Sequence, residues 1–160
     1  MFRVLMLIAG LAVAGSLHAQ TVKIGLVTAL SGQSARAGEA ITRGLTVAID
    51  EINAKGGIES GPMRGRKFEL LRRDDEATPA KGVIAARELL FKEKVAVLFG
   101  GLDTPVSLAI VPIVNENKIV FMGPWAAGTP ITKNGAKENY VFRVSAVDEI
   151  VNKAMLTYSQ

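Results

Sequence analysis

The sequence contains no cysteine, which excludes disulfide bonds and thiolate chemistry. Its one histidine, His18, lies in an apolar leader, and the rest of the chain has none. After the leader, these absences exclude Ser-His-Asp and Cys-His nucleophile pairs and the usual zinc sites, which need imidazole or thiolate ligands. No apolar run after the leader is long enough to cross a membrane.

A concentrated basic surface is also missing. The formal net charge is only +4, from 19 Lys and Arg against 15 Asp and Glu. The basic pair Arg72-Arg73 is followed directly by two aspartates. Because nucleic-acid binding requires a stripe or patch of Lys and Arg, the sequence predicts no nucleic-acid partner.

The amino terminus has the pattern of a secretory signal peptide. Arg3 supplies a short positive region, about fourteen apolar residues follow, and Ala19 is a small residue suited to cleavage. We therefore expect residues 1–19 to be a signal peptide and the exported chain to begin near Gln20. A membrane anchor is the alternative, although the run is shorter than the roughly twenty residues that a span requires. The absence of cysteine near the cleavage point favours a soluble periplasmic product over a lipoprotein.

Strand and helix patterns alternate after the leader. Predicted strands cover residues 22–30, 66–76, 95–100, 118–123 and 140–144. Helical spacing of apolar residues begins near residues 39, 78, 105 and 145, and Ser145 with Asp148 resembles the N-cap of the last helix. This alternation with short connections predicts an α/β fold, an open parallel sheet with helices on both faces. The last helix lacks a terminating signal, which we interpret as a sign of a truncated product.

Ligands of open parallel sheets bind beyond the carboxyl ends of the strands, where three segments rich in small residues lie. In "GGLDTP", Gly101 permits a sharp turn, and the N–H groups and hydroxyl at Thr104 favour a carboxylate. Thr104 equally fits a plain helix cap, and Asp103 suits a ligand ammonium instead. In "GPWAAGTP", Trp125 either stacks on a ligand or packs in the core or in an interface. Ser31, in "LSGQSARAG", belongs either to a ligand-facing loop or to a simple turn.

Two adjacent aspartates, Asp74 and Asp75, are candidates for acid–base chemistry or Mg²⁺ binding. Neighbouring residues on a strand point to opposite faces, so their carboxylates are not expected to converge. We therefore predict a solvated strand end. No G-x-G-x-x-G follows a strand, and no loop ends in Gly-Lys-Ser/Thr, so no nucleotide or other cofactor is predicted.

From Val22 to its end, the chain resembles periplasmic substrate-binding proteins of the leucine/isoleucine/valine-binding type. The resemblance rests on "VKIGLVTALSG", "INAKGGI" and the Gly-rich turn "FGGLDTP". It implies a truncated first lobe of a two-lobed, non-enzymatic protein whose second lobe is largely missing. The intact protein would close on a small solute, an amino acid or other small carboxylate, and deliver it to an inner-membrane ABC permease. The alternatives are a ligand-sensing receptor domain of the same fold and a small α/β enzyme.

The resemblance also implies roles for individual residues. Thr104 matches the Ser or Thr that holds the ligand α-carboxylate, and Trp125 stands where a backbone carbonyl receives the α-ammonium. Ala127 replaces a Thr that often contacts both ligand ends, and Ala37 replaces a frequent aromatic residue. These departures predict a reshaped pocket, suited to an aromatic acid, an amide or another carboxylate rather than to leucine.

Overall fold

The computed structural model describes residues 21–159, and the predicted signal peptide lies outside them. The strands are β1 (Val22–Thr28), β2 (Phe68–Asp74), β3 (Val97–Gly100), β4 (Phe121–Gly123) and β5 (Val141–Arg143). The helices are α1 (Ala35–Ala54), α2 (Pro79–Arg87), α3 (Thr104–Glu116) and α4 (Asp148–Tyr158). A π-helical turn, Glu88–Lys92, extends α2, and a 3₁₀ turn, Thr129–Ile131, follows β4.

The five strands form one parallel sheet in the order β2-β1-β3-β4-β5, which confirms the predicted α/β fold. β1 lies inside the sheet, next to the edge strand β2, and pairs with β2 on one side and with β3 on the other. The chain reverses its direction of winding between β1 and β3. In such sheets the loops diverge at this reversal and leave a crevice at the carboxyl ends of the strands.

Helices α2 and α3 cover one face of the sheet and build its core. Fully buried side chains there include Leu98, Phe121, Ile110 and Val106. The two helices approach closely at Gly82, where an added Cβ would lie 2.6 Å from Val106 Cγ1. The side of α2 that faces α3 therefore carries small residues.

The helical spacing of apolar residues in α2 and α3 predicts that Ile84 and Leu108 face this core, but both residues are exposed. Ile84 of α2 is 67% exposed and Leu108 of α3 is also exposed, so both predictions were wrong. For Ile84 the reason is the close helix contact, which turns the small side chains Ala85 and Ala86 inward instead. A proline inside a helix removes a backbone hydrogen bond, so Pro112 predicts a bend or an early end of α3. The helix nevertheless continues to Glu116, with the proline on its exposed side.

Helix α1 begins earlier than the sequence predicted. It starts at Ala35, so much of the predicted loop 31–38 is helical. Gly38, which was read as a loop glycine, is buried inside the helix, where an added Cβ would lie 1.8 Å from the Ala29 carbonyl oxygen. The glycine marks close packing of α1 on the end of β1. As predicted, α1 stops at the glycine pair, with φ of 102° at Gly56 and 91° at Gly57.

The two faces of the sheet are covered unevenly. Right-handed connections put α2 and α3 on one face and α1 on the other. On that face Phe99 and Met122 are half-buried, whereas Phe142 is 50% exposed and Val144 is 78% exposed. Within residues 21–159, no helix combines the length and apolar character that a membrane span requires.

Candidate functional site

The turn between β3 and α3 is built from two glycines that close packing requires. At Gly101, φ is 68°, and an added Cβ would lie 1.9 Å from Ser107 Oγ. At Gly100, an added Cβ would lie 2.3 Å from the Val27 carbonyl oxygen. The Gly101 N–H donates to that same oxygen at 3.1 Å, and Ser107 Oγ donates to the Gly101 carbonyl at 3.0 Å. Gly101 is therefore buried behind the turn, and its amide is not free for an anion.

Thr104 opens α3 but does not cap it. Asp103 occupies the cap position in an extended conformation, so the prediction of a Thr104 cap was wrong. The Thr104 Oγ1 accepts a hydrogen bond from the Gly128 N–H at 3.2 Å. Because a hydroxyl that accepts one bond still carries its own proton, Thr104 can donate to a carboxylate.

The loop after β4, residues 124–132, lies directly against this helix start and is called the β4 loop below. An added Cβ at Gly128 would lie 2.3 Å from Thr104 Cγ2, so only glycine fits without displacement. Ala127 is half-buried, and its carbonyl accepts the Asp148 N–H at 2.9 Å. The structure thus brings Thr104 together with the residues that surround Ala127.

Trp125 projects from the β4 loop into solvent. Trp125 is 58% exposed, so the alternative of core packing within residues 21–159 was wrong, whereas packing in an interface stays a prediction. Beside it lies an apolar groove of about 380 Å³ between α1 and the ends of β3 and β4. The groove is lined by Ala40, Ile41, Gly44, Leu45, Phe99, Met122, Pro124, Trp125 and Val144. An exposed indole at the mouth of such a groove can stack on a flat or apolar ligand.

Side chains from β5 and the segment after it brace the β4 loop. Arg143 donates to several of its oxygen atoms, and Ser145 Oγ donates to the Ala126 carbonyl at 2.7 Å. The sequence suggested that Ser145 caps α4, but its hydroxyl binds the β4 loop instead. Thr129 Oγ1, which lies outside α4, accepts the Glu149 N–H at 3.0 Å and so provides a hydrogen-bond partner for a free N–H group in the first turn of that helix. Sequence reasoning missed Arg143, whose only signal is a charge at the end of an apolar strand.

Asp74 and Asp75 build the connection that follows β2. Asp74 Oδ1 accepts the Leu30 N–H at 2.9 Å and the Glu76 N–H at 2.8 Å. Partial burial opposes ionisation of Asp74, but hydrogen bonds from the Ser31 hydroxyl and from backbone amides outweigh it and lower the pKa of Asp74. Ser31 is thus engaged with Asp74.

Asp75 is fully buried, so the predicted solvated strand end was wrong at this residue. Its Oδ1 accepts the Ala77 N–H at 2.8 Å, and its Oδ2 has no hydrogen-bond partner within residues 21–159. Burial raises the pKa of Asp75, and the negative charges of Asp103 and Asp74 add to this effect. The Asp103 Oδ2 is likewise buried without a partner. Among residues 21–159, no three His, Cys, Asp or Glu side chains are grouped to hold a metal ion.

The arrangement at the carboxyl edge joins some of the predicted site residues and separates others. Thr104, Trp125 and Ala127 belong to one continuous surface because Gly128 connects the β4 loop to α3. Gly101 lies behind that surface, and Ser31 lies at the end of β1 against Asp74. The β4 loop thus contacts the Thr104 hydroxyl through Gly128 and contributes Pro124 and Trp125 to the apolar groove, which Thr104 itself does not line.

Known proteins resemble this chain in sequence and in fold. A Leu/Ile/Val-binding protein from Rhizobium johnstonii is 33% identical over 129 residues, which cover 81% of this chain and 33% of that protein. The substrate-binding protein LivJ from Streptococcus pneumoniae, solved with isoleucine, superimposes with a TM-score of 0.72 at 28% identity and covers 81% of this chain and 35% of LivJ.

A third similar structure is a solute-binding protein of an ABC transporter from Rhodopseudomonas palustris, in complex with 3,4-dihydroxy benzoic acid. It has a TM-score of 0.69 at 28% identity, with 79% of this chain and 32% of that protein covered. This chain therefore spans about a third of the length of the proteins that it matches. The family model described as periplasmic binding protein matches residues 21–160. The chain belongs to the periplasmic binding protein family.

Proposed function

We propose that this chain is the first lobe of a solute-binding component of an ABC importer and that it binds a small carboxylate or amino acid. Residues 1–19 act as a signal peptide, and residues 20–160 work in the periplasm. The protein hands its solute to an inner-membrane permease and carries out no reaction itself. The observation that carries this proposal is the Thr104 hydroxyl, held by the Gly128 amide beside the exposed Trp125.

The chemistry of the site favours an anionic head and an apolar body for the ligand. The Thr104 proton supplies a donor for a carboxylate oxygen, and the start of α3 adds a favourable dipole of about 0.3–1 kcal/mol. Trp125 and the groove beside it supply an apolar surface, which suits an aromatic ring. Isoleucine and 3,4-dihydroxy benzoic acid, bound by two of the similar structures, both carry a carboxyl group.

Ligand-dependent thermal unfolding of the intact protein, with both lobes, tests this proposal, because the first lobe alone is expected to bind weakly or not at all. A panel of leucine, isoleucine, benzoate and 4-hydroxybenzoate is compared with benzamide, which has no carboxylate. At a ligand concentration one hundred times its Kd, binding stabilises the folded state by about 2.7 kcal/mol. We expect such a shift with at least one carboxylate and none with benzamide. No shift with any carboxylate would count against the proposal.

Substitution of Thr104 by valine tests the role of its hydroxyl while keeping the shape of the side chain. Thr104→Val removes the donor and is expected to weaken carboxylate binding by about 10–100-fold, since a hydrogen bond to a charged group contributes about 1.5–3 kcal/mol. Thr157→Val is the matched control, because the Thr157 hydroxyl on α4 donates only within its own helix, to the Lys153 carbonyl. Equal affinities of the Thr104→Val variant and the control would contradict the assigned role.

A further inference from the structure

Arg143 makes an unusual set of contacts at the carboxyl end of β5. Its Nη1 donates to the Gly128 carbonyl at 3.0 Å and lies 3.4 Å from the Ala126 carbonyl. Its Nη2 donates to Thr132 Oγ1 at 2.8 Å and lies 3.5 Å from the Thr129 carbonyl. One guanidinium thus gathers four oxygen atoms of the β4 loop around a single centre.

The charge of Arg143 has no opposite charge beside it. In the part of the chain that the structure describes, no carboxylate lies within ion-pair distance of Arg143. By contrast, Arg73 on β2 pairs with both Glu88 and Glu93. Because the Arg143 side chain is half-buried, its Nη1 and Nη2 depend on oxygen atoms of the loop for their hydrogen bonds, and among residues 21–159 its buried Nε has no partner.

The loop held in this way carries the residues that meet Thr104. Gly128, whose carbonyl binds Arg143, donates its amide to Thr104 Oγ1. Trp125 immediately precedes Ala126, another residue that Arg143 contacts. A change in the guanidinium contacts therefore moves both the donor that orients Thr104 and the aromatic side chain at the groove.

We propose that Arg143 is a positioning residue that fixes the β4 loop in the conformation that presents Trp125 and the Gly128 amide. The planar fork of the guanidinium is essential, because a lysine ammonium cannot donate hydrogen bonds to all of these oxygen atoms in the same geometry. Arg143 acts through the loop and does not itself contact the solute. The inference rests on the proposed function only in taking the β4 loop as the ligand-facing segment.

Fluorescence tests this role without any ligand, since Trp125 is the only tryptophan of the chain. The variants are Arg143→Met, which removes the charge, and Arg143→Lys, which keeps the charge and loses the fork. Arg87→Met on the exposed surface of α2 is the matched control. Acrylamide quenching and anisotropy of Trp125 report the accessibility and motion of the loop, and far-UV circular dichroism reports the fold.

We expect both Arg143 variants to raise the quenching constant and lower the anisotropy of Trp125. Since Trp125 is already 58% exposed, the increase in quenching should be small, and the anisotropy is the more sensitive readout. The control should match the unsubstituted chain. Unchanged quenching in both variants would overturn the proposal, and so would recovery by Arg143→Lys, which would make charge rather than the fork responsible. If Arg143→Met does not fold, Arg143→Lys alone decides.

Affinity for the carboxylate found by thermal unfolding gives a second readout. Arg143→Lys should weaken it by about tenfold while the circular dichroism spectrum stays unchanged, since misplaced binding groups lose affinity without loss of fold. Unchanged affinity would contradict the positioning role. If the unsubstituted protein binds no member of the panel, the proposed function fails, but the fluorescence result still tests the effect of Arg143 on the loop.

Discussion

The contact between Gly128 and Thr104 makes a quantitative prediction for Gly128→Ala. The new Cβ would lie 2.3 Å from Thr104 Cγ2 and 3.0 Å from its Oγ1, whereas ordinary contacts lie at 3.4–4 Å. Since φ at Gly128 is −53°, alanine adopts the backbone conformation without strain and the cost is steric. We expect the free energy of unfolding to fall by about 1–3 kcal/mol, as for other overpacked sites.

A double-mutant cycle isolates this contact. Thr104→Ser removes the methyl group that clashes and keeps the hydroxyl, so the double variant should recover part of the lost stability. The coupling free energy should be about 0.5–3 kcal/mol. Urea unfolding followed by circular dichroism gives all four free energies.

Gly44→Ala on α1 is the control for the same chemical change. Nothing lies within 4 Å of a Cβ added there, and helical alanine is favoured over glycine by about 0.5–1 kcal/mol. The control should therefore be more stable than the unsubstituted chain. A Gly128→Ala cost below about 0.5 kcal/mol, or no recovery with Thr104→Ser, would refute the described packing.

Three further predictions concern other positions. Because its pKa is raised, Asp75 binds its proton more tightly in the folded than in the unfolded state. The free energy of unfolding should therefore fall as pH rises from 3.8 through that raised pKa. Asp75→Asn should flatten this decline, as measured by urea unfolding across pH 4–8. Gly101→Ala should cost at least about 1–3 kcal/mol in urea unfolding, because φ is positive and Ser107 is in the way, and Ser107→Ala should restore part of it. Ile84→Ala should change stability by less than about 0.5 kcal/mol and Ile110→Ala should cost about 2–5 kcal/mol, as measured by thermal unfolding.

The fold was predictable because its signals are local. The buried run at β1, the Thr-Pro pair before α2 and the glycines after α1 each specify an element or its end from neighbouring residues alone. Their alternation then restricts the topology to a parallel sheet. Errors arose where packing between distant segments decides the outcome, as at Gly38, whose partner is the Ala29 carbonyl.

The candidate site was only partly predictable for the same reason. The proximity of Thr104 to the β4 loop depends on Gly128, which lies 24 residues further along the chain. Asp75 is buried at the end of β2, where its Cβ lies near Gly82 of α2, although its charged sequence neighbours suggested solvent. Arg143 gave no sign of its role, since its partners are backbone carbonyls that any sequence possesses.

The unevenly covered sheet has a consequence for the colloidal behaviour of this lobe. Its two edges are protected against strand addition, β5 by its length of three residues and β2 by charged side chains. The open face at Phe142 and Val144 has no such protection. Purified alone, the lobe should therefore cluster reversibly through side chains rather than grow into fibrils, and ammonium sulfate should promote that clustering.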